Sequence, residues 1–107
     1  MIRLVAQRKA ELATLCRRHG VRRLDIVGSA ATGAFRDAGS ELDFIVDFAD
    51  KGAGYADRYL DFADALETLF DRKVDLLTER WIQNPYFRRS VEATRQTIYD
   101  RRSREAA

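Results

Sequence analysis

A chain of 107 residues is the length of one domain, able to bury about 60–65% of its unfolded surface in a single core. With 46% apolar and 34% charged residues and a net charge of only +2, the composition excludes a disordered chain and gives little electrostatic basis for nucleic-acid binding. No apolar run approaches the ~20 residues of a membrane helix, the lone cysteine cannot form an internal disulfide, and one His with one Cys argues against structural zinc.

From Arg3 to His19 the apolar positions Val5, Leu12, Leu15 and Cys16 form a helical stripe, and Gly20 follows as a C-cap. Arg23 to Val27 holds the run LDIV and stops at Gly28, as a strand entering a turn does; Ser29 and the small residues Ala30 and Ala31 then open a helical turn. Leu42, Phe44, Val46 and Phe48 alternate with Asp43, Ile45 and Asp47, the period-2 signal of a strand. After the loop KGAG, the residues Tyr55, Tyr59, Phe62, Leu66, Leu69 and Phe70 recur at helical spacing, and VDLLT from Val74 to Thr78 reads as a short strand. Asn84-Pro85 resembles an N-cap followed by proline in the first turn, and Phe87, Val91, Thr94 and Ile98 extend that helix towards a tail, residues 101–107, expected to fray. The expectation is one α/β domain over residues 1–107, a sheet of three or more strands with helices packed on it. Periodicity does not decide the strand directions.

Glu41 and Asp43 stand two apart at the start of a strand, so both leave the same face, about 7 Å apart at Cα. Leu42 and Phe44 point the other way, into the core. Two carboxylates so placed repel unless a cation sits between them, and oxygen ligands suit Mg²⁺, which is commonly shared with substrate phosphates. Upstream, the Gly28-Ser29 turn offers backbone N–H groups and a hydroxyl that could cradle a phosphate, although a serine there is as compatible with helix capping. Asp75 lies in VDLLT, and it completes a three-carboxylate cluster if that strand neighbours the first acidic one.

The pieces GSAATG, with Gly28, Ser29 and Gly33, and Ser40-Glu41-Leu42-Asp43 followed by FIV together resemble the signature of the nucleotidyltransferase superfamily of DNA polymerase β. At this length the chain is similar to the minimal nucleotidyltransferases (MNT), among them the antitoxins paired with helical HEPN-domain toxins. The resemblance spans roughly Leu12 to Thr78. It implies a small polymerase-β-like palm with a mixed sheet, in which Gly28 and Ser29 hold the nucleotide phosphates. Glu41, Asp43 and Asp75 would be the catalytic carboxylates and the ligands of two Mg²⁺ ions. The implied reaction is attack of a hydroxyl on the α-phosphate of ATP, releasing pyrophosphate, with a tyrosine of a HEPN-type RNase toxin as acceptor. Pairing with that toxin implies a hetero-oligomer. Two departures from the family pattern stand out: Glu41 occupies a position usually held by Asp, and the spacer containing FRDAGS is one residue longer. They leave open a second reading, an antitoxin whose nucleotide site has decayed and which neutralises its partner by binding alone.

The remaining motifs have plainer readings. His19 sits where it complements the helix dipole, Cys16 on the apolar stripe is core, and Asp47 is a solvated strand residue some 13 Å from Asp43. Most of the arginine pairs Arg17-Arg18, Arg22-Arg23, Arg88-Arg89 and Arg101-Arg102 read as solvated surface, while Trp81 and Tyr86 are candidates for a binding patch. MIRLVAQRKAEL has no apolar signal-peptide core, so a cytoplasmic location is expected, with no membrane and no direct nucleic-acid partner, since 107 residues leave no room for a template channel.

Overall fold

The structure, a computed structural model, describes residues 1–32 and 41–102. Gly33, the FRDAGS loop and the end of the tail therefore lie outside the described residues. Helices α1 (Arg3–Ala6) and α2 (Lys9–Arg18) lead into β1 (Val21–Val27), followed by α3 (Ser29–Thr32) and β2 (Leu42–Phe48). Next come α4 (Tyr55–Phe70), β3 (Val74–Leu77), a 3₁₀ turn (Glu79–Trp81), α5 (Pro85–Thr94) and β4 (Gln96–Asp100). The four strands lie in the order β3-β2-β1-β4, with β2 and β3 parallel and the other neighbours antiparallel, so the sheet is mixed.

Period-2 alternation divides the sheet into two faces. On one, Leu42, Phe44, Val46 and Phe48 of β2 join Leu24 and Ile26 of β1 in the main core, covered by α2 and α4. Phe62 of α4 packs edge-on against Phe48 at 5.9 Å between ring centroids, and Phe70 stacks on Phe44 at 6.0 Å. Each such buried ring removes about 150–250 Å² from water, which is why α4 docks on this face. Cys16 is fully buried here, and burial pushes its thiol up to about 12, so it serves as an inert apolar residue. His19 caps the end of α2 with its ring 5.6 Å from that of Phe62.

On the opposite face a smaller core of Val27, Ile45, Ile82 and Val91, with Leu77 against it, seats α5. Asn84 caps α5 by accepting from the backbone N–H of Tyr86 and Phe87, with Pro85 in the first turn. Tyr55 and Tyr59 are half-buried on the main core, whereas Trp81 and Tyr86 stand 75% and 78% exposed.

Three expectations change. The stretch from Arg3 to His19 is not one helix: Met1 and Ile2 are tied to α3 through the carbonyls of Ala31 and Ala30, fixing the course of α1, and the chain turns at Gln7 and Arg8 before α2 begins. The last helix does not run through Ile98. It ends at Thr94, where Arg95 adopts φ −59° and ψ 128°, and Gln96–Asp100 becomes β4 with Tyr99 buried opposite Leu24. The strand-favouring run Thr97-Ile98-Tyr99, pairing with the open edge of β1, outweighs one helically spaced isoleucine. Asp47 is not merely solvated, since it is half-buried and paired with Arg22 and with Lys51, the latter at 2.9 Å.

Candidate active site

The register of the sheet brings the acids together. Asp43 of β2 lies opposite Asp75 of the parallel strand β3 on one side and opposite Val27 of β1 on the other. Glu41 immediately precedes β2, and because side chains alternate it emerges on the face of Asp43. Carboxylate oxygens of Glu41, Asp43 and Asp75 all lie within 4.8 Å of one another. The extra methylene of Glu41 thus leaves its carboxylate in the cluster.

Asp43 is the innermost of the three, half-buried where Glu41 and Asp75 are exposed. Burial first, and then the negative charges of Asp75 and Glu41, push its carboxyl up to about 6 from an ordinary 3.8. Such a cluster costs stability when empty and suits a divalent cation with oxygen ligands. Among the described residues it is the one group of three or more such side chains placed to hold a metal ion.

Gly28 fits against this cluster because it has no side chain. Its φ of +74° lies in the left-handed region, and a Cβ there would stand 3.0 Å from Asp43 Oδ2. The Gly28 carbonyl accepts from the N–H groups of Ala31 and Thr32, which starts α3, so Ser29 is its first helical residue and Gly28 takes the capping position expected of the serine. The Gly28 N–H donates to Thr94 Oγ1 at 3.0 Å, so that donor is already engaged within the protein. Gly28, Asp43 and Asp75 line a cleft of about 210 Å³ whose far wall is α5, through Phe87, Ser90 and Thr94. Nothing in the local sequence marks these α5 residues as part of the site. Thr94 sat in the helical stripe with nothing to mark its hydroxyl as facing Gly28.

A second group of charges occupies the other end of the same face. Asp25 of β1 is fully buried and accepts from Arg23 Nε at 3.1 Å and Arg95 Nε at 2.5 Å. Arg95 also pairs with Glu79 and, at 2.9 Å, with Glu92, while Arg88 reaches Glu79 at 2.7 Å. These contacts hold the Glu79 carboxyl below the usual carboxylate range and keep Arg95 firmly charged. Arg22, Arg23 and Arg88, members of the arginine pairs, are thus structural ion-pair partners.

A family model described as "Nucleotidyltransferase domain" matches residues 10–98. The curated protein from Methanocaldococcus jannaschii named "Putative protein adenylyltransferase MJ1379" is 32% identical over 75 residues, which cover 70% of this chain and 74% of that protein. A solved structure described as "Structure of putative minimal nucleotidyltransferase" superposes with a TM-score of 0.69 at 30% identity, covering 86% of this chain and 90% of its own. A chain from the solved complex of a tri-AMPylated Shewanella oneidensis HEPN toxin with an MNT antitoxin shares the fold. Its TM-score is 0.61 at 15% identity, over 95% of this chain and 77% of that one.

Proposed function

Because the chain belongs to the nucleotidyltransferase domain family, we propose that it transfers AMP from ATP to a hydroxyl, a tyrosine in our reading, of a HEPN-type toxin, for which it acts as the antitoxin. The single observation that carries this reading is the convergence of Glu41, Asp43 and Asp75 beside the Gly28 turn. The named relatives add the reaction type and the kind of partner.

The donor set fits Mg²⁺: three carboxylates, no sulfur or imidazole, and one acid whose proton affinity is raised by burial and by its acidic neighbours. Glu41, Asp43 and Asp75 would hold the metal, which when bound supplies electrostatic stabilisation of the entering and leaving oxygens. Gly28 leaves room at Asp43 Oδ2 that any side chain would fill, so the nucleotide phosphates can approach the carboxylates along the turn. Ser29, the next residue of the turn, would add its hydroxyl to the phosphate contacts. Asp75, exposed on the edge strand β3, is the carboxylate most open to an incoming acceptor hydroxyl, which it would orient.

The test is label transfer from α-phosphate-labelled ATP to the purified HEPN-type partner. Asp43→Asn should lower the rate by about 10²–10³-fold or more, the loss of one ligand carboxylate. Glu41→Asp, which shortens the reach to the cluster, should also slow transfer. A wild-type protein that transfers no label yet neutralises its partner as well as Asp43→Asn does would overturn catalysis in favour of neutralisation by binding.

A further inference from the structure

We propose that Thr94, in the last turn of α5, is a positioning residue of the Gly28-Ser29 turn, so that α5 sets the geometry of the phosphate-binding end of the site. The inference rests on the nucleotide reading above and adds a residue and an element that reading does not use.

The Thr94 hydroxyl is committed in both directions. Its oxygen accepts from the Gly28 backbone N–H at 3.0 Å, and its proton is directed back into α5, where the carbonyls of Ser90 at 3.2 Å and Val91 at 3.4 Å are both within reach. A hydroxyl has a single proton to donate, and with that proton turned towards the α5 carbonyls a lone pair is left for the Gly28 N–H. Gly28 needs such a hold: its φ of +74° is available to glycine at low cost but not enforced by it, and glycine retains the most backbone freedom when untethered. The tether keeps the turn in the one conformation that caps α3 and lies against Asp43.

Thr94 is itself held by its neighbour. Arg95 ends α5, donating its backbone N–H to the Val91 carbonyl, and its guanidinium reaches the fully buried Asp25 of β1. Gly28 follows directly on β1. The helix end is thus pinned to the strand that leads into the turn, and Thr94 bridges the remaining gap. Ser90 and Thr94 both face the cleft containing Asp43 and Asp75, so the hydroxyl acts at the site and not at a remote joint.

The full-length chain is tested as wild type, Thr94→Val, which keeps the shape and removes the hydroxyl, and Thr94→Ser, which restores it. In the absence of nucleotide, hydrogen exchange at the Gly28 amide should speed up by about tenfold in Thr94→Val, the worth of one hydrogen bond. Exchange at Ile26 and Phe44 should not change. Calorimetric titration with Mg²⁺–ATP should show binding weakened by about five- to tenfold in Thr94→Val, the same hydrogen bond read through affinity, and Thr94→Ser should recover both readouts. A merely structural threonine would change the exchange at Ile26 as much as at Gly28. Unchanged Gly28 protection in Thr94→Val, failure of Thr94→Ser to recover, or faster Gly28 exchange with unaltered affinity would each overturn the inference. If wild type binds no Mg²⁺–ATP, the nucleotide reading fails, while the exchange experiment still decides whether Thr94 holds the turn. Should Thr94→Val not fold, Thr94→Ala against Thr94→Ser carries the same comparison.

Discussion

Replacing Asp43 by asparagine should stabilise the metal-free protein. In the folded state the Asp43 carboxyl is pushed up to about 6, against 3.8 for the ordinary group, by burial and by Asp75 and Glu41. Because the folded pKa is the higher, the folded state binds the proton more tightly than the unfolded chain, and ionisation above pH 6 works against folding. The full difference of pKa corresponds to about 3 kcal/mol. Asp43 is only half-buried, so solvent screening reduces this to the order of 1–1.5 kcal/mol. For a domain of this size that is roughly 5–10 °C in melting temperature. The asparagine side chain carries no charge at any pH. The gain should therefore be present at about pH 7 and fade as the pH falls from about 6 towards 4, where wild-type Asp43 becomes protonated as well. Asp47 and Glu79 have depressed carboxyl pKa values, so they contribute stability that is lost as the pH falls further, and wild type should be most stable between about 4 and 6. Millimolar Mg²⁺ with ATP should raise the wild-type melting temperature and leave that of Asp43→Asn nearly unmoved. Thermal melts across this pH range, without metal, are the assay. A variant no more stable than wild type at neutral pH, or an advantage that does not shrink on acidification, would refute the argument from like-charge crowding.

Gly28→Ala should destabilise the fold by about 1–2 kcal/mol in denaturant melts, from the left-handed φ, and should weaken Mg²⁺–ATP binding more than that loss explains, because the new Cβ stands 3.0 Å from Asp43 Oδ2. Arg95→Met should cost about 3–5 kcal/mol by leaving the fully buried Asp25 without its closest partner, and the double change with Asp25→Leu should recover much of that loss in the same melts.

Where one physical rule governed a segment, its sequence reported the structure. Strand β2 could be read from strict alternation and α4 from six apolar residues at helical spacing, because each buries one face against one core. The three acids could be named individually, but their meeting depends on β3 pairing with β2 in the register Asp43–Asp75. That register is a long-range choice, invisible to local pattern. Strand β4 was missed because Val91, Thr94 and Ile98 mimic a helical stripe across a boundary set by Arg95, whose partner Asp25 lies 70 residues earlier. Asp25, in the run LDIV, is buried and ion-paired with Arg23 and Arg95, and local pattern does not name those partners. A buried carboxylate in an apolar strand demands a cation from somewhere, and that demand was the signal available.

The two charged clusters on this face obey opposite logics, and α5 joins them. At one end Asp25, Glu79, Arg23, Arg88 and Arg95 satisfy one another, so burial there is compensated within the chain and fixes where α5 ends. At the other end Glu41, Asp43 and Asp75 converge, and the charges that bear on Asp43 are those of its two acidic neighbours. Val27, Ile45, Leu77, Ile82 and Val91 separate the ends with apolar packing, which keeps the arginines of one cluster from neutralising the carboxylates of the other. A basic side chain within reach of Asp43 would stabilise the empty fold, and it would also occupy the place a divalent cation needs. The crowding of negative charge around Asp43 is therefore a consequence of segregation along the strand direction, with a cost that the packed opposite face of the sheet must carry.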